Sequence, residues 1–142
     1  VAAALQTLYS FDSDSVPQRI AVLGDMRELG STSQAEHEKV GKLCDPGLLS
    51  WVVLLGPDME QHAASLARQR GCQVRIVKSA IEAGEFVRSV TEPGAVILVK
   101  GSQNTIYLEE CVKILVGEDQ HHQLVRQSAE WLSTKNAYFQ AF

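Results

Sequence analysis

The sequence has little of what marks several large classes of protein. It contains three cysteines, Cys44, Cys72 and Cys111, none in a C-x-x-C pair, so neither a disulfide framework nor a zinc site is indicated. Isolated thiols are typical of a reducing, cytoplasmic setting. There is no basic run, and the net charge is −4 with a pI near 5.5. We therefore expect no nucleic-acid partner, because phosphate binding needs a basic surface.

Long apolar segments and several catalytic motifs are missing as well. Apolar runs such as Trp51–Leu55 are far too short to span a bilayer, and no signal peptide opens the chain, so no membrane partner is expected. The patterns G-x-x-x-x-G-K-[ST], G-x-G-x-x-G and G-x-S-x-G do not occur, which argues against a P-loop, a dinucleotide site and a serine hydrolase. Because the chain starts at Val1 rather than methionine, we interpret it as a fragment of a longer protein.

What is present is an alternation of short β-branched runs and amphipathic stretches. The runs predict four buried strands: Arg19–Leu23, Trp51–Leu55, Val74–Val77 and Ala95–Val99. The stretches predict helices over Val1–Tyr9, Ser33–Leu43, Asp58–Arg70, Ala80–Val90, Thr105–Val116 and near Ser128–Lys135. This order predicts an α/β fold, a three-layer Rossmann-like domain with a mainly parallel sheet. One domain would span 1–142, with a core over 1–117 and a less regular tail over 118–142.

Local signals indicate where the helices begin and end. Ser33 and Glu36 form an S-x-x-E capping box, and Asp58 and Thr105 are suited to cap the helices that follow them. Gly71 stands where a helix commonly ends on a glycine. The cysteines are expected to act as small buried hydrophobic residues.

Charged residues follow two of the predicted strands, at the sheet edge where open α/β sheets bind ligands. The first loop contains two carboxylates between two glycines and consists of Gly24, Asp25, Met26, Arg27, Glu28, Leu29 and Gly30. It could orient an ammonium group or a metal-bound phosphate, or it could be a solvated loop in which Arg27 pairs with an acidic neighbour.

The second loop begins with Lys100, Gly101 and Ser102. A lysine leaving a buried strand before a helix start resembles an anion cradle, although a simple turn with a capping hydroxyl explains the same residues. His37 is expected to pack or form hydrogen bonds inside the first predicted helix after the first strand. His121 and His122 have no third ligand nearby, so no metal site is predicted.

Two passages together resemble a known family. Arg19–Gly30 (RIAVLGDMRELG), followed by His37 and Gly41, and Val96–Ser102 (VILVKGS) are similar to the C-terminal domain of Mur ligases, closest to the branch that adds D-alanyl-D-alanine. The resemblance covers about 1–116. Gln103 stands where the family usually has arginine, Leu108-Glu109 replaces its Met-Glu pair, and the tail from Glu118 onward has no recognised counterpart.

The resemblance implies one part of a three-domain, ATP-dependent peptide ligase of peptidoglycan synthesis. An N-terminal domain would bind a UDP-muramoyl peptide, a central domain would bind ATP and Mg²⁺, and this domain would close over both with the incoming amino acid or dipeptide. Those two domains of the same chain would be its partners, and the fragment alone would be inactive, with no catalytic residue of its own.

The resemblance also implies roles for single residues. Asp25 and Glu28 would lie on the closing face near ATP or the incoming amine, Lys100 and Ser102 would meet the acceptor's carboxylate, and His37 would brace the first loop. Two alternatives stay open: a folylpolyglutamate-type or other Mur-like amide ligase, and a stand-alone, non-catalytic anion- or nucleotide-binding module.

Overall fold

The computed structural model describes residues 1–27, 29–102 and 106–140. Its strands are β1 (Arg19–Gly24), β2 (Trp51–Leu55), β3 (Val74–Val77) and β4 (Val96–Lys100). Its helices are α1 (Ala2–Tyr9), α2 (Ser33–Leu43), α3 (Ala64–Gln69), α4 (Ala80–Val90), α5 (Glu109–Leu115) and α6 (Ala129–Phe139). Two 3₁₀ turns, Gly30–Thr32 and Glu118–Gln123, and one π-helical turn, Met59–Ala63, complete the elements.

The four strands form one parallel sheet in the order β3-β2-β1-β4. Every residue of β1 is buried, and the strand pairs with β2 on one side and β4 on the other, so that Leu23 lies beside both Leu54 and Lys100. The predicted parallel sheet is confirmed. Since parallel strands share a direction, the loops after β1 and β4 leave the same edge of the sheet, which we call the carboxyl rim.

The sheet is the middle of three layers, as predicted. Alternate strand residues such as Leu23 and Leu54 pack with the side chains of α1, α2 and α3, whereas Ile20 and Val53 pack with α4 and α5 on the opposite face. The alternation follows from the strand's two-residue period, which sends successive side chains to opposite faces. Among the described residues, no helix combines the length and apolarity needed to cross a membrane.

All three cysteines are free and buried, as expected of small hydrophobic residues. Cys44 and Cys72 belong to the core on the α1–α3 face, and Cys111 belongs to the core on the other face. Burial raises the pKa of Cys44 and of Cys111 to about 12. These thiols therefore stay protonated at neutral pH.

The predicted helix caps are only partly right. The S-x-x-E capping box is wrong, because α2 follows Thr32 without a side-chain cap and Ser33 is already its first residue. Asp58 likewise gives no side-chain cap to the helical turn that follows it. Gly71, at φ +100°, does end its helix as predicted, whereas Thr105 lies outside the described residues.

The C-terminal tail packs back on the domain. Lys135 of α6 is only 2% exposed, and Phe139 packs against the core on the α4–α5 face. The Tyr107 ring lies edge-on to the rings of Trp131, Tyr138 and Phe139 at centroid distances of 5.3–6.4 Å. The described part of the tail is therefore packed on the domain, a point that the sequence left open.

Candidate functional site at the carboxyl rim

The loops after β1 and β4 are joined by hydrogen bonds at the rim. The Ser102 N–H donates to the Asp25 carbonyl oxygen at 3.1 Å, and the Arg27 N–H donates to Ser102 Oγ at 2.6 Å. Glycine permits this approach, because a Cβ on Gly101 would lie 3.0 Å from the Cα of Gly24. Two passages 75 residues apart in sequence thus form one surface.

The Asp25 side chain points into the protein and is 0% exposed. Its Oδ1 accepts the Met59 N–H at 2.8 Å and its Oδ2 accepts the Asp58 N–H at 3.2 Å. The first N–H groups of a helix have no partner within the helix and carry partial positive charge, so a carboxylate stabilises them. The buried carboxylate of Asp25 therefore caps the helical segment after β2. A role for Asp25 on the closing face, near ATP or the incoming amine, stays a prediction.

Gly56 makes room for this buried carboxylate. It adopts φ +112°, and a Cβ at this position would lie 2.3 Å from the Asp25 Cγ. The Asp25 N–H also donates to the carbonyl of Leu55 at 2.9 Å. Both the main chain and the side chain of Asp25 therefore tie the β1 loop to the β2 loop.

His37 is fully buried beneath the first loop. Its Nε2 accepts the Met26 N–H at 3.1 Å, and its Nδ1 lies 2.7 Å from the Ser33 carbonyl oxygen. An N–H donor faces Nε2 and an acceptor faces Nδ1, so we assign the neutral tautomer with the proton on Nδ1. This contact is what a bracing residue would make; its importance for function stays a prediction.

Asp25, His37 and Asp58 offer ligand atoms within 4.8 Å of one another, a spacing that could hold a metal ion. However, each Asp25 oxygen already accepts a backbone N–H, and each His37 ring nitrogen is bonded to the backbone. A cation bound there would displace the hydrogen bonds that cap the helical segment after β2 and the hydrogen bond that holds Met26 in the first loop. We therefore assign the cluster a structural role.

Lys100 and Ser102 border a cavity of about 250 Å³ at the rim. The Lys100 side chain is exposed and forms no ion pair with any residue the structure describes. Across the cavity lie residues from α5 and the tail: Leu108, Glu109, Val112, Val125 and Arg126. The structure thus places a lysine and a hydroxyl at one concave surface; binding of an anion there stays a prediction.

The other predicted site residues mainly shape the loops. Gly24 is buried against the Leu108 side chain, and Met26 packs against the core on the α1–α3 face. Leu29 precedes the 3₁₀ turn, and Gly30 begins it at φ +58°. Glu28 and Gln103 lie outside the described residues.

Sequence reasoning missed a buried ionic network between α5 and the tail. Arg126 donates from Nε and Nη2 to the two carboxylate oxygens of Glu109 at 2.6 and 2.8 Å. Lys135 Nζ lies 3.0 Å from Glu109 Oε1 and 2.6 Å from Glu110 Oε1. The one signal in the sequence was a pair of adjacent acidic residues at the start of an apolar helix, which alone does not identify its partners.

This network should make the stability of the domain depend on acid pH. Burial alone would raise the pKa of Glu109 and Glu110, but hydrogen bonds from Arg126 and Lys135 to Glu109, and from Lys135 and Gln127 to Glu110, hold each pKa below 4.5. A carboxyl with a lowered pKa contributes stability that is complete above its ordinary pKa and is lost as the pH falls through the folded-state value. We expect the free energy of unfolding, measured in urea, to fall as the pH drops below about 4.5.

Other carboxyl groups also titrate in this range, so the control is a variant with both Glu109→Gln and Glu110→Gln. It should show a shallower pH slope than the wild type between pH 5 and pH 3. Equal slopes would show that the two carboxylates are not stabilised by their partners.

The chain is similar in sequence and in fold to known proteins. The family model described as Mur ligase, glutamate ligase domain, matches residues 1–103. Over 102 residues the chain is 31% identical to the UDP-N-acetylmuramoyl-tripeptide–D-alanyl-D-alanine ligase of Mycobacterium leprae. This alignment covers 69% of this chain and 20% of that protein. The fold is similar to a crystal structure of MurF from Acinetobacter baumannii, with a TM-score of 0.60 and 23% identity over 80% of this chain and 24% of that one.

Proposed function

Since the chain belongs to the Mur ligase family, we propose that it is the substrate-closing domain of an ATP-dependent ligase of peptidoglycan synthesis. The reaction would join D-alanyl-D-alanine, or a similar amino acid or dipeptide, to a UDP-muramoyl peptide. The chain spans about a fifth of the length of the curated relative it matches, so we assign the remaining substrate sites to other domains of the full-length protein. The juxtaposition of Lys100 and Ser102 at the rim cavity carries the proposal.

The rim offers hydrogen-bond donors suited to a carboxylate. The Lys100 ammonium is exposed, and the Ser102 hydroxyl accepts the Arg27 N–H and keeps its own proton to donate. Hydrogen bonds from a charged donor to a carboxylate are shorter and stronger than those between neutral groups. We propose that Lys100 and Ser102 hold the carboxylate of the acceptor while its amine extends toward the partner domains.

The residues of this chain fit contact with phosphate oxygens better than coordination of Mg²⁺. Arg27 and Lys100 are exposed cations at the rim, whereas both Asp25 oxygens are engaged by backbone N–H groups, and the sequence has no P-loop. We therefore assign ATP and Mg²⁺ mainly to the central domain. ATP supplies the activation of the peptide carboxylate, and this domain would bring in the acceptor and exclude water. Use of ATP and three free thiols suit a cytoplasmic setting.

Lys100→Met tests the proposal. In the full-length protein we expect the KM for D-alanyl-D-alanine to rise about 10- to 100-fold, because one charge-assisted hydrogen bond is lost. The KM for the UDP-muramoyl peptide should change little. Steady-state kinetics with each substrate varied in turn measures both.

Lys78→Met is the matched control. Lys78 is an exposed lysine directly after β3, at the same rim. Strands β2 and β1 separate β3 from β4. Loss of the Lys78 ammonium should therefore leave the KM for the dipeptide unchanged. A normal KM in the Lys100→Met protein would remove the carboxylate-binding role of Lys100.

A glutamate acceptor is the second candidate, because the matching family model is described as a glutamate ligase domain. This reading includes a folylpolyglutamate-type ligase. A substrate panel separates the two candidates: product from D-alanyl-D-alanine and a UDP-muramoyl peptide supports the first, and product from glutamate and a folate supports the second. Absence of any product would favour a non-catalytic anion-binding module.

A further inference from the structure

We propose that Arg126, in the C-terminal tail, determines specificity by providing a third donor to the acceptor's carboxylate, next to Lys100 and Ser102. The inference rests on the proposed function. Arg126 lies beyond residues 1–103, the part of the chain that the family model matches. The tail would thus complete a cavity that the family-matched part only begins.

The position of Arg126 is fixed by its partners. Its guanidinium binds both oxygens of Glu109 in a bidentate pair, and its side chain is 16% exposed. These bonds use Nε and Nη2, and a guanidinium has further N–H groups that remain for a ligand. Arg126 also lines the cavity with Lys100 and Ser102. Because Glu109 already holds the guanidinium, we expect its remaining N–H groups to bind a ligand there with little further cost in ordering.

The balance of charge in the cavity favours an anion. Glu109 is the one acidic side chain among the described residues that line it, and this carboxylate is engaged by both Arg126 and Lys135. Lys100 adds a cation that has no acidic partner among the described residues. A carboxylate entering the cavity would therefore meet donors rather than competing acceptors.

The size and the walls of the cavity limit the ligand further. Its volume of about 250 Å³ suits the carboxyl end of a small molecule better than a whole nucleotide. Val99, Leu108, Val112 and Val125 give it apolar walls, which suit a methyl group or another small apolar side chain. The ligand class is an amino acid or dipeptide with a free carboxylate and a small apolar C-terminal side chain.

The backbone at Arg126 is unusual as well. Its φ of +54° lies in the left-handed region, which residues other than glycine seldom adopt. The next residue is held in place by a hydrogen bond from Gln127 Nε2 to Glu110 Oε1 at 3.0 Å. This strained conformation directs an arginine toward Glu109 at the wall of the cavity.

The test compares two acceptors, D-alanyl-D-alanine and its C-terminal amide, in the full-length protein and its Arg126→Met variant. The amide lacks the negative charge that Arg126 would bind. We expect Arg126→Met to raise the KM for the dipeptide about 10- to 100-fold with kcat little changed. The KM for the amide should change by no more than about threefold, because that acceptor never had the charged contact.

Two further variants separate binding from folding. Arg68→Met removes an exposed arginine from α3 and should alter neither KM. Arg126→Lys keeps the positive charge but loses the fork geometry, so it should retain part of the preference for the dipeptide over the amide. Thermal unfolding of each protein shows which variants remain folded at the assay temperature.

Each result decides the inference. A similar rise in both KM values, or a fall in kcat alone, would show that Arg126 only supports the structure. Unchanged kinetics in a folded Arg126→Met protein would overturn the inference while leaving the proposed function intact. If the wild-type protein forms no product from the dipeptide, the proposed function fails and this inference fails with it.

Discussion

Asp25→Ala should destabilise the domain by about 3–5 kcal/mol, a loss that a urea unfolding curve of the 142-residue chain would measure. The substitution removes a fully buried carboxylate that accepts the N–H groups of Asp58 and Met59. Those two donors would stay buried or partly buried without a partner, and hydrogen bonds to charged groups contribute about 1.5–3 kcal/mol each. The space facing Gly56 would also become a void.

Asp58→Ala is the control for this experiment. Asp58 stands at the start of the same helical segment, but its carboxylate gives no cap, and it accepts only a long hydrogen bond of 3.5 Å from Ser33 Oγ among the described residues. We expect a loss below about 1 kcal/mol. Equal losses from the two substitutions would show that Asp25 does not cap this segment.

Lys135→Met should cost about 3–5 kcal/mol, because removing one partner of a buried ion pair leaves an uncompensated charge. Lys135 is 2% exposed and contacts both Glu109 and Glu110. Arg126 would still neutralise Glu109, whereas Glu110 would keep only Lys113 at 3.6 Å and the Gln127 amide. Urea unfolding at pH 7 measures the loss, and α6 should separate from α5 first.

Lys113→Met provides the matched comparison. This substitution also removes a lysine that contacts the Glu110 carboxylate. The Lys113 side chain, however, is 28% exposed, and its ion pair with Glu110 is long. Such surface pairs contribute about 0–1 kcal/mol. If both lysine variants lost equal stability, the buried ion pairs of Lys135 would stabilise the domain no more than the exposed pair of Lys113.

A triple variant, Lys135→Met with Glu109→Gln and Glu110→Gln, tests the cause. Without carboxylates to leave unpaired, much of the lost stability should return relative to Lys135→Met alone. A triple variant no more stable than Lys135→Met would instead attribute the loss to packing.

The sheet could be predicted from the sequence because its signals are local. Each β-branched run was long enough for one strand and too short for a helix, and β2 and β3 have the predicted bounds. Helices α2 and α4 also begin and end where the pattern placed them. The placement of the β1 and β4 loops at one edge followed from parallel strands, whose ends share that edge.

The roles of single side chains depended on contacts that no local pattern contains. Asp25 caps a segment 33 residues further along, so the loop motif alone could not distinguish a buried cap from an exposed ligand. The capping box at Ser33 failed because the chain enters α2 through a 3₁₀ turn, Gly30–Thr32, which moves the cap position to Thr32.

The wall of the cavity could not be predicted for a similar reason. Arg126 and Glu109 are 17 residues apart, and Arg126 adopts a left-handed backbone that sequence propensity disfavours. Hydrophobic periodicity identifies the apolar face of a helix, but it predicts that a lysine within the helix is exposed to solvent. Lys135 is buried in ion pairs with two carboxylates of α5, which lie far from it in sequence.

The three buried thiols can report local unfolding of the domain through their chemical modification. A reagent that attacks thiolates can modify Cys44 or Cys111 only after the surrounding side chains part, since each group stays protonated while covered. Because Cys44 lies on one side of the sheet and Cys111 on the other, their separate labelling rates distinguish a molecule that loosens one layer at a time from a molecule that opens as a whole.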